Sequence, residues 1–218
     1  MRARPVVWSV LGPGAFALAA AIGGRLEPDY RARDEPISAL AAKGTRSAKV
    51  MVPGFLGLAA GSVGLARSLR GSAVAPRPAP AMLTVVGLAT AGAGLARCSD
   101  RSCPTRMLGD TGVTGSDDLH VAFSVVVFGL WVATPLVAAR RAVAAEPRYR
   151  RASRGLGLAT LAGLVGGGML ARRSDAWSGA IQRATVTSAL AWYVLAGVTA
   201  ARADFPSRSL TIRWRGGP

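Results

Sequence analysis

The 218 residues carry 27 Lys or Arg against 11 Asp or Glu, a formal charge of +16, yet half are hydrophobic and only 17% are charged. With a mean hydropathy of +0.33 the chain is too apolar for a disordered basic tail. Its charge is not scattered through a polar chain as in a nucleic-acid binder, so a membrane protein with charges between apolar segments is what remains.

Six stretches are apolar and nearly free of charge: Pro5–Gly24, Val50–Ala66, Ala81–Ala96, Leu119–Ala139, Gly155–Ala171 and Ala184–Ala201. A helix of about 20 residues spans a hydrocarbon core of roughly 30 Å. These segments are apolar all round, without the 3.6-residue alternation of a soluble amphipathic helix or the two-residue alternation of a membrane barrel strand. The expected fold is all-α, a single domain over 1–218 forming a bundle of six transmembrane helices.

The first segment follows Arg2 and Arg4 and carries Ala19-Ala20-Ala21 near its end, the look of a signal peptide. It is longer than the 7–15 residues or so of a signal h-region and has Gly12-Pro13-Gly14 at its middle, which favours a retained helix kinked at Pro13. The long connection after it contains Glu35-Pro36-Ile37-Ser38-Ala39-Leu40. Pro36 can start a helix whose face Ile37, Leu40 and Ala41 would line, so a short interfacial helix is expected there.

The second, third and fifth segments are short and are bounded by Arg67, Arg97 and Arg172, whose stems can reach the headgroups. Gly57 with Gly61, and Gly163 with Gly167, form small-xxx-small pairs, read as close helix packing. Residues 57–67, GLAAGSVGLAR, echo residues 87–97, GLATAGAGLAR, which hints at an inverted repeat of the transporter kind. In a chain so rich in Gly, Ala and Leu the echo carries little weight.

After the third helix comes Cys98-Ser99-Asp100-Arg101-Ser102-Cys103-Pro104. Two Cys close in sequence on an oxidising side suggest a disulfide, stabilising by about 2 kcal/mol in the chain-entropy model. A zinc site would need four ligands, and two Cys and one His supply too few without carboxylates, so no metal is expected.

Asp117-Asp118-Leu119-His120 enters the fourth helix, where an Asp suits the free amides of the helix start. His120 is the one histidine and sits just inside the apolar run, a depth at which an ionisable group needs a partner. Gln182-Arg183 opens the sixth helix at the same depth. Glu35, Asp118, His120, Gln182 and Arg183 are therefore candidates for one polar, ligand-binding pocket. Ser38, Ser124 and Thr185 are near in this topology, and Trp192-Tyr193 reads as packing.

Charge sets the expected orientation. With six helices both termini share a side with the 67–80 and 140–154 connections, and all acids except Glu146 and Asp204 fall on the other side. The Lys and Arg count favours the termini side only narrowly, but the run Arg140, Arg141, Arg148, Arg150, Arg151 and Arg154 lies there. Both termini are expected in the cytoplasm, with Tyr149 as an interface anchor and the arginines against anionic headgroups. The Arg, Ala and Gly excess suggests a GC-rich bacterial genome and hence an inner-membrane protein.

No phosphate-binding loop, dinucleotide fingerprint or aromatic-interleaved basic motif occurs, so no cofactor and no nucleic-acid partner is expected. The leading reading is a non-catalytic membrane protein whose outer-leaflet polar pocket takes a lipid or a partner protein. A membrane enzyme acting on a lipid or isoprenoid, with His120 and Asp118 as acid–base groups, is the alternative. A small-molecule transporter is third, weakened by the lack of polar groups at the midplane.

The order of these features resembles a bacterial membrane family catalogued as domain of unknown function 998. The resemblance rests on Glu35–Ser38 after the first helix, Cys98 and Cys103-Pro104 after the third, His120 in the fourth, and Gln182-Arg183 with Trp192-Tyr193 in the sixth. Glu35 stands where Asp is usual, Ala41 where Gly is usual, and the Cys spacing is one residue longer. The resemblance implies a six-helix integral membrane protein without an established activity. That family is distantly similar to eukaryotic six-helix proteins of the autophagy-modulator and Frag/Sfk type, linked to stress and lipid organisation.

Overall fold

A computed structural model describes residues 4–102, 115–142, 146–171 and 176–203. Six α-helices and one short 3-10 helix make up the regular structure of these residues: α1 Arg4–Leu26, the 3-10 helix Ile37–Ala41, α2 Ala48–Leu69, α3 Ala79–Leu95, α4 Gly115–Arg141, α5 Pro147–Ala171 and α6 Ser178–Ala203. Every apolar run became a helix. Each apolar residue can bury its side chain on any face, and the helix satisfies its own backbone polar groups.

Four of the six, α1, α2, α4 and α6, are long and apolar enough to cross a membrane, as in a multi-pass membrane protein. α3 has 17 residues, about 26 Å, and falls short of a typical span by length alone. α5 has 25 residues but begins with a cluster of arginines ending at Arg154, so its apolar part is confined to residues 155–171. It starts at Pro147, inside the stretch expected to be a connection, because Pro suits the first helical position and Arg is a good helix former.

Neighbouring helices run antiparallel. Along α1 and α2, a Cβ on Gly12 would meet Gly61, one on Gly57 would meet Ala15, and one on Gly64 would meet Trp8. The same rising-against-falling order joins α5 to α6, where Gly163 faces Thr185 and Gly167 faces Ile181. Both small-xxx-small pairs therefore serve helix packing, removing side chains so that backbones approach and gain dispersion contacts. Each helix packs chiefly on its chain neighbours and α6 closes the ring onto α1. Long apolar side chains such as Leu11, Leu18, Leu88 and Val125 point outward, consistent with a lipid-facing rim.

One buried polar chain ties the ring across its middle, and a second buried bond joins neighbouring α5 and α6. Trp131 of α4 donates its Nε1–H to the Tyr193 hydroxyl of α6 at 3.2 Å, and Tyr193 lies 3.0 Å from Ser62 Oγ of α2. Trp192 donates to Ser153 of α5 at 3.1 Å. The Trp192-Tyr193 pair is thus packing with its polar atoms satisfied, as buried Trp and Tyr require.

The 3-10 helix is not interfacial. All five of its residues are buried, and it plugs one end of the ring against α1, α2 and α6. A buried connection is tolerable only if its backbone polar groups are paired. Gln182 Oε1 accepts from Ile37 N at 2.6 Å, and Tyr30 reaches the Pro36 carbonyl at 3.1 Å. Ser47 and Thr45 donate to the Leu40 carbonyl. Arg97 donates to the carbonyls of Ala41 and Ala42, at 3.0 and 2.8 Å. Arg97 therefore fastens the plug, where the sequence suggested a headgroup anchor.

Candidate functional site

The sequence-selected polar residues fall into two hydrogen-bonded sets at the plugged end of the ring. The first surrounds residues 30–37, folded over the start of α6. Ala180 N donates to the Arg33 carbonyl at 2.8 Å, Trp177 N donates to Asp34 Oδ1 at 3.2 Å, and Ser178 donates to the Asp34 carbonyl. The free amides at the start of α6 are met by this loop, which is what an otherwise uncapped helix start requires. Gly179 permits the approach: a Cβ there would collide with the carbonyls of Glu35 and Ala32.

Arg183 is the hub of this set. Its guanidinium donates to the carbonyls of Glu35 and Gly179 at 3.0 Å each, to the Ala32 carbonyl and to the Tyr30 hydroxyl. All these acceptors are neutral, so among the described residues no carboxylate pairs directly with its charge. Glu35 does fold in, but its carboxylate is taken by Arg101, whose Nε lies at 2.8 Å, and by the Arg31 amide at 2.9 Å. The Arg101 and Arg183 guanidinium carbons lie 5.7 and 5.5 Å from the centre of the Tyr30 ring, within cation–π reach. Burial raises the Tyr30 phenol above its ordinary 10.0, opposed by the Arg183 hydrogen bond. It stays protonated at neutral pH. Asp34 is held below its usual carboxylate value chiefly by its hydrogen bond with Arg33.

The second set lies between α3 and α4. Asp117 is buried and its carboxylate accepts from Ser99 N and Ser99 Oγ, each at 2.6 Å. It braces the chain leaving α3. His120 is buried, with Nδ1 2.8 Å from the Ala93 carbonyl and 3.1 Å from that of Ala96. Carbonyl oxygens only accept, so Nδ1 carries the proton. His120 Nε2 and Asp118 Oδ1 are buried without a hydrogen-bond partner among the described residues. The two side chains form no hydrogen bond with each other, since residues two apart on a helix do not share a face.

Glu35, Gln182 and Arg183 are therefore brought together, while His120 belongs to a neighbouring set, and no hydrogen bond among the described residues ties Asp118 Oδ1 to either. Between them lies a small cavity of about 40 Å³ lined by Ile37, Ser38, Thr90, Ala93, Ser124 and Gln182, among others. It has room for a few waters. Ser38 and Ser124, singled out only by topology, do meet there. Thr185 instead faces Gly163 across the α5–α6 contact. Among the described residues no group of three or more His, Cys, Asp or Glu could hold a metal.

A larger groove of about 470 Å³ opens on the outside of the ring between α1 and α6. Phe16, Ala17, Ala20, Ala21, Val186 and Leu190 form its apolar floor and walls, and Tyr30 with Arg183 forms its polar head. Tyr30 and Arg101 carried no signal in the sequence. Their partners lie far along the chain, and Tyr is common near membrane interfaces for other reasons. Cys98 is buried and is not a free thiol. Cys103, with which a disulfide was expected, lies outside the described residues.

The family model described as "Protein of unknown function (DUF998)" matches residues 10–199. No curated protein and no solved structure matches significantly.

Proposed function

The chain belongs to the DUF998 family of unknown function, and on that premise we propose that it is a six-span inner-membrane protein that holds a phospholipid in the α1–α6 groove. In this reading α3 and α5 also cross, both termini are cytoplasmic, and the plugged end faces outward with a Cys98–Cys103 disulfide. A phospholipid needs a cation for its phosphate above an apolar trough for its chain. The observation that carries the reading is that Arg183 sits at the head of such a trough with only neutral acceptors. The small side chains of Ala17, Ala20 and Ala21 leave the width that an acyl chain fills.

The lipid reading is preferred to a partner helix because Tyr30 and Ala32, from the loop folded over the start of α6, line the groove's polar end. An acyl chain can end under a headgroup there, whereas a through-going helix would meet the loop. The enzyme alternative has one observation in its favour, the unpartnered Nε2 of His120.

The test is lipid analysis of protein purified in mild detergent. Ala21→Trp fills the trough from an exposed position without touching the Arg183 clamp. It is expected to reduce co-purified phospholipid severalfold while the protein stays folded. Unchanged lipid in a folded variant would overturn the groove as a lipid site, and loss of a bound protein instead would favour the partner reading.

A further inference from the structure

At the opposite end of the ring, the last turns of α4 and the first three turns of α5 enclose a cleft of about 620 Å³. Arg140, Arg150, Arg151 and Arg154 line it, with Leu136, Ala139 and Leu158 as apolar wall. On α5 the lining residues Pro147, Arg150, Arg151, Arg154 and Leu158 follow helical spacing, so they form one stripe facing α4. The cleft is independent of the groove at Arg183.

Three features set these arginines apart from scattered headgroup anchors. First, no carboxylate among the described residues pairs with any of the four. Among the described residues the acid at this end, Glu146, lies 3.9 Å from Arg148, which does not line the cleft. Second, three of the four occupy the opening turns of α5, which has no acidic residue in its first turn. Cations there oppose the positive end of the helix dipole, so both the side chains and the free amides favour an anion. Third, one of the four is positioned: Arg150 donates its Nε–H to the Ala139 carbonyl at 3.1 Å, bridging the two helices, and its terminal nitrogens make no hydrogen bond among the described residues. Tyr149, beside it, donates to the Val74 carbonyl at 2.8 Å and fixes the start of α5 to the α2–α3 connection.

The apolar wall continues outward along α5, where Leu158, Leu161 and Val165 are exposed. An occupant therefore meets four positive charges at one end and an open hydrocarbon-facing surface at the other. We infer that this cleft is a binding site for an anionic phospholipid whose headgroup carries two phosphates, with its acyl chains running down the exposed side of α5. Two phosphates match four arginines in number, two donors forks to each, where a single phosphate would leave like charges facing one another.

The experiment reconstitutes the full chain in phosphatidylcholine nanodiscs doped with diphosphatidylglycerol, or with phosphatidylglycerol at matched charge. Lipid retained through detergent washing is then read by native mass spectrometry. The expected result is retention of the two-phosphate lipid by about tenfold over phosphatidylglycerol. Arg151→Gln with Arg154→Gln, both exposed positions, removes that preference, and Arg148→Gln keeps it. Equal retention of the two lipids, or a preference that survives the double substitution, overturns the site. Because the occupant is a lipid, millimolar pyrophosphate in solution is expected not to displace it. Displacement would overturn the lipid assignment and leave a site for free phosphates.

Discussion

Tyr193 of α6 donates its buried hydroxyl to Ser62 of α2, 3.0 Å away, and the direction of that bond is fixed by its neighbours. Ser62 spends its own proton on the Leu58 carbonyl at 2.8 Å, so it accepts from Tyr193. Tyr193 in turn accepts from Trp131 at 3.2 Å. One chain of donors thus runs from α4 through α6 to α2, joining helices that are not neighbours in the ring.

Tyr193→Phe breaks that chain at its centre and leaves the buried Trp131 N–H without its acceptor. The expected cost is about 1–3 kcal/mol, because an orphaned buried donor loses more than the net worth of one bond. Thermal unfolding in detergent reads it as a lowered midpoint. An unchanged midpoint would mean that the chain contributes no stability.

Gly61→Ala places a Cβ 2.5 Å from the Gly12 Cα, backbone against backbone, so α1 and α2 must separate. The expected loss is about 1–3 kcal/mol by overpacking. Gly14→Ala, two residues further along α1 than Gly12, meets nothing within 4 Å and is expected to leave the midpoint unchanged or slightly raised. Equal effects of the two substitutions would contradict the close crossing.

Glu27 holds the start of α2, accepting from Ser47 N at 2.9 Å and from Ser47 Oγ at 3.2 Å. The backbone hydrogen bond is the largest cause of a carboxyl held below its ordinary 4.5. A carboxyl lowered on folding contributes stability above its unfolded value and loses it as pH falls through the folded value. Wild type is therefore expected to exceed Glu27→Gln in unfolding midpoint at neutral pH, with the gap closing as pH falls below the ordinary carboxyl value of 4.5 and through the lowered folded one. A gap independent of pH would remove the ionic part of the cap.

The helices were legible because hydropathy reports them directly, and the Gly pairs because close packing leaves small residues at fixed spacing. The boundaries were less so. The α5 start was read as a connection since its arginines break the apolar run, although they are compatible with helix. The burial of Ile37–Ala41 was hidden for a different reason. Five residues carry too little hydrophobic pattern to distinguish a plug from an interfacial turn, and the Arg97 and Gln182 bonds that allow burial come from distant helices. At the site, Gln182-Arg183 and Glu35 stood out as polar residues beside apolar runs and do meet. Asp118 and His120 stood out equally, but their chain spacing turns them apart, and Asp117 makes the bond to Ser99.

The proposed lipid groove requires the Arg183 end to face outward and the Arg150 end to face the cytoplasm. Cysteine substitution at Lys49, exposed in the first turn of α2, and at Arg148, exposed at the start of α5, reads both ends in intact cells with a maleimide that cannot cross membranes. Labelling of Lys49→Cys before permeabilisation and of Arg148→Cys only after it is the predicted result. Labelling in the reverse order would contradict the orientation, and with it the outer-leaflet lipid groove.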